Sequence, residues 1–189
     1  MKIIGITGTL GAGKGTIVDL LVEEYGFIHF SARQFLVEKI EEKGLEINRD
    51  TMTSVANELR RQYNSSYIID ELLKKALQGN KNAVIESIRA PKEVISLKEK
   101  GNCCLFAVDA EPKVRYGRIK KRASATDHVS FETFMQNEKR EMTSEDPNMQ
   151  NIKACIEHAD FVFSNDSSIE NLQEKVRKIL REIEIKKEN

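Results

Sequence analysis

The sequence has 189 residues, of which 40% are hydrophobic, and this suits one compact domain with a single core. Its 30 basic and 30 acidic residues cancel, so net charge gives no argument for binding nucleic acid or an anionic membrane. Three cysteines, two of them adjacent, make a poor disulfide framework, and no apolar run is long enough for a signal peptide or a membrane span. We therefore expect a soluble, cytoplasmic protein that is a monomer or a homodimer.

Short apolar runs alternate with amphipathic segments along the whole chain. The predicted strands span residues 3–6, 27–30, 83–87, 103–108 and 161–164. The predicted helices span residues 14–25, 32–43, 50–63, 67–78, 91–100 and 168–185, with one more beginning near residue 112 and another containing residue 140. Ser167 and Glu170 have the spacing of a capping box for the last helix. The alternation predicts an α/β fold of three layers, a five-stranded parallel sheet between two layers of helices.

The predicted elements also suggest how one domain of 189 residues is organised. Its core comprises residues 1–30, 81–122 and 145–189. The helical block 31–80 is long for a crossover between two strands, and we interpret it as a region that binds and covers the acceptor substrate. The polar stretch 123–130 is either a short lid over the phosphates, since phosphoryl transfer must exclude water, or a simple connection between helices.

The sequence GTLGAGKGT, residues 8–16, lies between the first predicted strand and the first helix. Its glycines allow backbone N–H groups to point at phosphate oxygens, and the helix N-terminus adds positive charge at the same place. Lys14 can then reach the terminal phosphates. This context predicts a phosphate loop that binds ATP through Gly8, Leu10, Gly11, Ala12, Gly13, Lys14, Gly15 and Thr16.

The loop departs from the usual motif at its end. Such loops place Ser or Thr directly after the lysine to bind Mg²⁺, whereas here Gly15 takes that position and Thr16 follows. Direct coordination of Mg²⁺ by a hydroxyl is therefore in question, and the ion is expected to be held mainly by phosphates and waters. Glu86, at the end of the third strand, is the acidic candidate for ordering Mg²⁺ through water, or else an ordinary strand-end carboxylate.

Arginines follow the third and fourth strands. If a helix starts near residue 112, then Arg115, Arg118 and Arg122 lie on one face, where they either neutralise a transferring phosphoryl group or form a solvated basic surface. Arg89 directly follows the third strand and is expected to point into the site, because ligands bind at the carboxyl ends of parallel strands. Arg140 lies on a later helix.

Other constellations of catalytic residues are weak. The three histidines are far apart in sequence, and no Ser/His/Asp or Cys/His arrangement stands out. Residues 80–83 read NKNA rather than the NKxD that a guanine pocket requires, which argues against a GTPase. The remaining interpretation is a small phosphoryl-transfer enzyme.

Five segments resemble the P-loop nucleoside monophosphate kinase family. GTLGAGKGT resembles the loop of adenylate kinases, and FIHFSARQFL the start of their monophosphate-binding region. ESIRAPKEV is similar to their DGxPR segment, and closer to the DGIRSxxEV of archaeal adenylate-kinase-related proteins. EPKVRYGRIKKR resembles the helix before their lid, and ADFVFSNDSSIENL resembles the ending of dephospho-CoA kinases.

The resemblance implies a P-loop fold with a helical acceptor-binding region and a short lid, and transfer of the γ-phosphate of ATP with Mg²⁺. By position, Lys14 would bind the transferred phosphate, and Asn165 would lie near the adenine of ATP. The implied clamp on donor and transition state consists of Arg118, Arg122 and Arg140. The implied acceptor site consists of Ser31, Arg33, Arg60 and Arg89.

The sequence departs from the family at the acceptor end. Glu86 replaces the aspartate of DGxPR, and Val37 replaces an arginine that binds the monophosphate, for which Arg33 or Arg60 would substitute. From the resemblance as a whole we nevertheless expect a kinase for nucleoside or deoxynucleoside monophosphates. The alternatives are a dephospho-CoA kinase-like enzyme and a non-catalytic nucleotide-sensing module.

Overall fold

The computed structural model describes residues 1–101, 103–122 and 129–185. Its strands are β1 (Ile3–Gly8), β2 (Ile28–Ser31), β3 (Ala83–Ile88), β4 (Cys103–Asp109) and β5 (Phe161–Ser164). All neighbouring strands pair in parallel, in the order β2-β3-β1-β4-β5. The predicted five-stranded parallel sheet is confirmed.

Helices connect the strands. They are α1 (Lys14–Tyr25), α2 (Ala32–Glu42), α3 (Arg49–Gln62), α4 (Tyr67–Gly79), α5 (Pro91–Lys100), α6 (Pro112–Arg122), α7 (Phe131–Met142), α8 (Ile152–Glu157) and α9 (Ile169–Ile185). The sequence did not predict α8, whose six residues bury only Ile152 and Cys155 and so carry too little periodicity. The predicted lid at 123–130 lies outside the described residues except for its last two.

Two hydrophobic clusters cover the two faces of the sheet. Successive strand residues point to opposite faces, so Ile3 belongs to one cluster and Ile4 to the other. The first cluster packs α2, α3, α4, α5 and α8 on one face, and the second packs α1 and α9 on the other. This gives the three-layer α/β fold that the sequence predicts.

The central strand β1 sets the position of the site. All six of its residues are buried, as expected for a strand with helices on both faces. Its pairing with β3 slips by one residue, because Ile6 lies opposite Glu86 while Thr7 lies opposite Ile88. The extra residue, Ser87, takes a positive φ of 72°. This β-bulge lies at the carboxyl end of the sheet, where such folds bind ligands.

The start of α9 differs from the sequence prediction. Ser168, rather than Ser167, caps the helix, because its Oγ accepts a hydrogen bond from the N–H of Asn171 at 3.3 Å. The third helical position is therefore Asn171 and the predicted capping box with Glu170 does not form. Within the described parts of the chain, no helix combines the length and apolarity needed to cross a bilayer.

Candidate active site

The turn from β1 into α1 places three glycines at positive φ angles. These are Gly8 at 136°, Gly11 at 79° and Gly13 at 112°. A Cβ at Gly8 would lie 2.0 Å from the Val108 carbonyl oxygen, and one at Gly13 would lie 2.3 Å from Nδ2 of Asn165. By contrast, a Cβ at Gly15 would meet no atom of the described residues within 4 Å. Space therefore does not exclude a serine or threonine from the position where the usual motif has one.

Lys14 folds back onto the loop that carries it. Its Nζ donates to the carbonyls of Gly8, at 3.0 Å, and Thr9, at 2.8 Å. The residue is only 9% exposed, yet it lines the central cavity. Burial, followed by the charge of Arg89, lowers the pKa of Lys14 to about 8. The loop thus holds a largely desolvated ammonium with no carboxylate hydrogen-bonded to it among the described residues.

Two side chains from other elements brace this loop. Asn165, after β5, donates from Nδ2 to the Ala12 carbonyl at 2.7 Å, and Arg115 on α6 donates from Nη1 to the Leu10 carbonyl at 3.3 Å. Asn165 is 3% exposed and does not line the cavity. The structure therefore gives Asn165 a role in supporting the loop, and its contact with adenine stays a prediction.

The three arginines of α6 do not share one environment. Arg118 and Arg122 line the cavity, but Arg115 is buried and forms an ion pair with Glu138 on α7. The prediction of one common cationic face was therefore wrong for Arg115. Arg118 donates from Nη2 to the Ser167 carbonyl at 3.3 Å, whereas its buried Nη1 has no hydrogen-bond partner within the described residues. An orphaned donor of this kind beside a phosphate loop fits an anionic ligand.

One cavity of about 610 Å³ extends from the phosphate loop to the helices α2, α3 and α4. Its loop end is lined by Leu10, Gly11, Gly13, Lys14, Gly15 and Thr16. Its far end has an apolar wall of Ala32, Leu36, Met52, Ala56 and Ile68. The other ionisable side chains that line the cavity are Arg33, Arg49, Arg60, Arg89, Arg118, Arg122, Glu86 and Glu141. Gly8 and Ala12 belong to the loop but do not line this cavity.

Arg89 and Arg49 hold one carboxylate between them. Oε2 of Glu141 accepts from Nη1 of Arg89 at 2.7 Å, and Oε1 accepts from Nε and Nη2 of Arg49 at 3.0 and 2.6 Å. Arg89 also donates to Gln150 at 2.9 Å. Burial would raise the pKa of Glu141, but the charges of Arg89 and Arg49 outweigh burial and hold this pKa below its usual value.

Arg60 lines the cavity, but its guanidinium is engaged elsewhere. It donates from Nε and Nη2 to one oxygen of Glu93, at 2.9 and 2.8 Å, and both residues are almost fully buried. The other oxygen of Glu93 accepts from the backbone N–H groups of Arg89 and Ala90, at 2.9 and 3.0 Å. Arg60 thus fixes the backbone at Arg89 through Glu93, and this placement does not support its predicted direct contact with the acceptor.

Two other predicted site residues lie outside the cavity lining, while Arg33 is part of it. Ser31 caps α2 by accepting from the N–H of Gln34 at 3.2 Å. Arg140 is 63% exposed at its side chain and pairs with Asp50 at 3.2 Å. The structure does not bring Arg140 to Lys14, so its predicted place in the donor clamp is not supported.

The bulge at Ser87 brings a carboxylate to the phosphate-loop end. Glu86 lines the cavity and accepts from Ser87 Oγ at 3.0 Å, with His29 Nε2 at 3.5 Å from its other oxygen. Burial opposes ionisation of Glu86, but His29 and Lys14 lower its pKa. Thr16 lines the same cavity. Mg²⁺ in phosphate sites needs few protein ligands beyond one or two oxygens, so Thr16 and Glu86 fit such an ion.

Comparison with known proteins identifies the family. A family model described as an AAA domain matches residues 4–146. A UPF0200 protein of Methanococcus vannielii is 30% identical over 191 residues, covering 97% of this chain and 100% of that protein. The chain belongs to the UPF0200 family and carries an AAA domain. A second UPF0200 protein, from Pyrobaculum aerophilum, is 29% identical over 185 residues, covering 97% of this chain and 99% of its own.

Solved structures agree with the P-loop kinase-like fold. A shikimate kinase from Bacteroides thetaiotaomicron matches with a TM-score of 0.61 and 14% identity, over 95% of this chain and 98% of its own. A deoxyadenosine kinase from M. mycoides matches with a TM-score of 0.55 and 17% identity, over 96% of this chain and 100% of its own. At these identities the likeness establishes the fold of this UPF0200 chain and not its substrate.

Sequence reasoning assigned no site role to Arg49, Glu141 or Gln150, although Glu141 lies beside Arg140 on the same predicted helix. Arg49 and Glu141 are 92 positions apart, and each lies on a helix whose sequence has no local phosphate-binding signature. The only signal is the presence of charged residues near helix ends, which also occurs on solvated helices. Their convergence is a consequence of tertiary packing.

Proposed function

We propose that this UPF0200 protein is an ATP-dependent kinase that transfers the γ-phosphate of ATP to a nucleoside or deoxynucleoside monophosphate. The observation that carries the proposal is one continuous cavity, which joins the phosphate loop to a chamber with arginines and an apolar wall. Its volume of about 610 Å³ is in the range of small-molecule sites.

The donor end of the cavity suits the phosphates of ATP. Backbone N–H groups at the start of α1 and the Lys14 ammonium provide positive charge at the loop. Arg118 has a buried donor directed at no described protein group, and Arg122 lines the same wall. When bound, Mg²⁺ would neutralise charge on the phosphates, and Thr16 and Glu86 are the residues that would hold it, Glu86 through water.

The acceptor end suits a molecule with an apolar body and an anionic group. A nucleobase would contact the wall formed by Leu36, Met52 and Ile68, while Arg33 and Arg89 would hold the monophosphate. An oxygen of that monophosphate forms a bond to the γ-phosphorus while the bond from phosphorus to the β–γ bridging oxygen breaks. The products are ADP and a nucleoside diphosphate. This nucleophile is already ionised, so the protein needs to supply position and positive charge rather than a base.

A coupled assay of ADP release tests the proposal. The purified protein is incubated with ATP, Mg²⁺ and each member of a panel of ribo- and deoxyribonucleoside monophosphates. One or more acceptors should raise ADP release, and EDTA should abolish the increase. Lys14→Met should lower turnover by about 10²-fold or more while the protein stays folded. If no monophosphate raises ADP release above the rate with ATP alone, the proposal is wrong.

Glu86 favours a second candidate, a kinase that phosphorylates a hydroxyl group, as in a dephospho-CoA kinase-like reaction. A hydroxyl nucleophile must lose a proton, and Glu86 is an ionised carboxylate on the cavity wall near Lys14. Turnover with dephospho-CoA that is lost in Glu86→Gln, without turnover on monophosphates, would favour this candidate. ATP binding by thermal shift with no turnover on either acceptor would instead favour a nucleotide-sensing module.

A further inference from the structure

We propose that Arg49 and Arg89 form the binding site for a dianionic phosphoryl group, and that Glu141 occupies this site as an internal competitor in the ligand-free protein. The inference deepens the proposed function, on which it rests only for the identity of the acceptor. It assigns Arg49 to the acceptor site and makes Glu141 a residue that determines which anions can enter.

The contacts of Glu141 are those expected of a bound anion. Each of its two oxygens accepts from a different guanidinium, with bonds of 2.6 to 3.0 Å to Arg49 and Arg89. The three side chains are 9%, 21% and 23% exposed for Glu141, Arg49 and Arg89, and all three line the cavity. Charge-assisted pairs of this kind are strong where water is largely excluded.

The charges in this cluster do not balance. Two guanidiniums face one carboxylate, and the other partner of Arg89 is the neutral side chain of Gln150. Arg89 lowers the pKa of Lys14 whereas Glu141 raises it, so both members of this pair lie close enough to act on the phosphate-loop ammonium. A phosphoryl dianion offers one more negative charge and one more oxygen than the Glu141 carboxylate, so it matches two arginines better.

A buried ion pair elsewhere in the molecule shows what a purely structural carboxylate looks like. Glu93 is 1% exposed and accepts from two backbone N–H groups as well as from Arg60. Glu141, by contrast, is held in the described structure by two side chains that can change rotamer at the edge of a cavity. An incoming phosphoryl group can replace Glu141 without breaking backbone hydrogen bonds.

Competition by Glu141 sets the affinity that a ligand needs in order to bind. Displacing the carboxylate costs every ligand the same free energy, so it lowers the affinity of the site for every anion by the same factor. A neutral ligand cannot replace the charge of Glu141, and a monoanion gains no more than the contacts that Glu141 already makes. A dianion gains an additional charge interaction with both arginines, so it is the class of ligand that can still bind well.

Isothermal titration of AMP and inorganic phosphate into the full-length protein, without ATP, tests this inference. Glu141→Gln should tighten binding of both by about tenfold or more, because the neutral amide no longer competes for the arginines. Adding Arg49→Gln to Glu141→Gln should reverse the gain. Glu138→Gln is the matched control, since it breaks another α7 ion pair, with Arg115, and neither residue of that pair lines the cavity. It should not tighten binding.

The outcomes separate this inference from the proposed function. Unchanged or weaker anion binding in a folded Glu141→Gln protein overturns the inference, as does a gain that survives Arg49→Gln. If Glu141→Gln does not fold, Glu141→Asp keeps the charge with a shorter reach and should still tighten binding, by a smaller factor. Tighter binding without monophosphate turnover would uphold the inference and refute the proposed function, because binding is measured without ATP.

Discussion

Replacing Lys14 with methionine isolates the ionisation of one buried group, because methionine keeps an unbranched side chain and removes the ammonium. In the folded protein the pKa of Lys14 is lowered to about 8 from an ordinary value of 10.5. Between these two values the unfolded chain binds more protons than the folded one. Stability therefore rises with pH across this window in the wild-type protein, and the Lys14→Met variant lacks this contribution.

The size of the effect follows from the two pKa values. From about pH 7 to about pH 10, the free energy of unfolding of the wild type should rise by about 2.5 kcal/mol relative to Lys14→Met. Urea unfolding of both proteins in the same buffers measures this difference, in which the titrations of all other groups cancel. With a slope of about 2 kcal/mol per molar urea, the gap between the two midpoints should shift by about 1 M.

A gap between the midpoints that is the same at both pH values would refute the claim that the loop holds a desolvated ammonium. A gap that moves the other way would mean that the folded state raises the pKa of Lys14, as a strong ion pair would. Lys178→Met, at an exposed position of α9, controls for the loss of a lysine as such and should show no shift.

Three further outcomes follow from the packing around the site. Glu93→Gln should lower the free energy of unfolding by about 3–5 kcal/mol in urea melts, because Arg60 keeps its charge in a buried environment; removing that charge as well, with Arg60→Met, should recover part of the loss. Gly13→Ala should cost at least about 2 kcal/mol by the same measurement, because of its positive φ and the close contact with Asn165. Arg118→Met should lower acceptor-dependent turnover by about 10²-fold with little change in thermal stability, which the ADP-release assay and a thermal melt check together.

The central strands β1, β3 and β4 could be predicted because helices cover both faces of the sheet there, so each strand is a nearly continuous apolar run. The edge strands β2 and β5 are more exposed but still fall in short, mainly apolar runs. Residues 161–164 match β5 at both ends, and the others differ from prediction by one or two residues at an end. The helix α8 was missed because two buried residues in six give no helical period. The cap of α9 was misplaced by one residue because Ser167 and Ser168 are adjacent and both can cap.

The phosphate loop could be predicted because the residues that shape it are consecutive in the sequence. Gly8, Gly11 and Gly13 adopt positive φ angles that favour glycine, so the local sequence is tied to the shape of the loop. The arginines could not be assigned in this way, because a guanidinium has the same sequence signature whether it binds a ligand or a carboxylate. Arg115 was misplaced because its partner, Glu138, is on the next helix along the chain. Which arginine faces the cavity depends on the packing of α6 against α7.

The helices α2, α3 and α4, which line the far end of the cavity, share one hydrophobic cluster with the sheet. Ile40 of α2, Leu59 of α3 and Ile69 of α4 belong to the same cluster as Ile85 of β3. These helices therefore cannot turn away from the sheet as a rigid body without exposing that cluster to water. In native-state hydrogen exchange, the amides of α3 and β3 should open together, as one cooperative unit. The far end of the cavity should therefore keep its shape until the sheet itself unfolds.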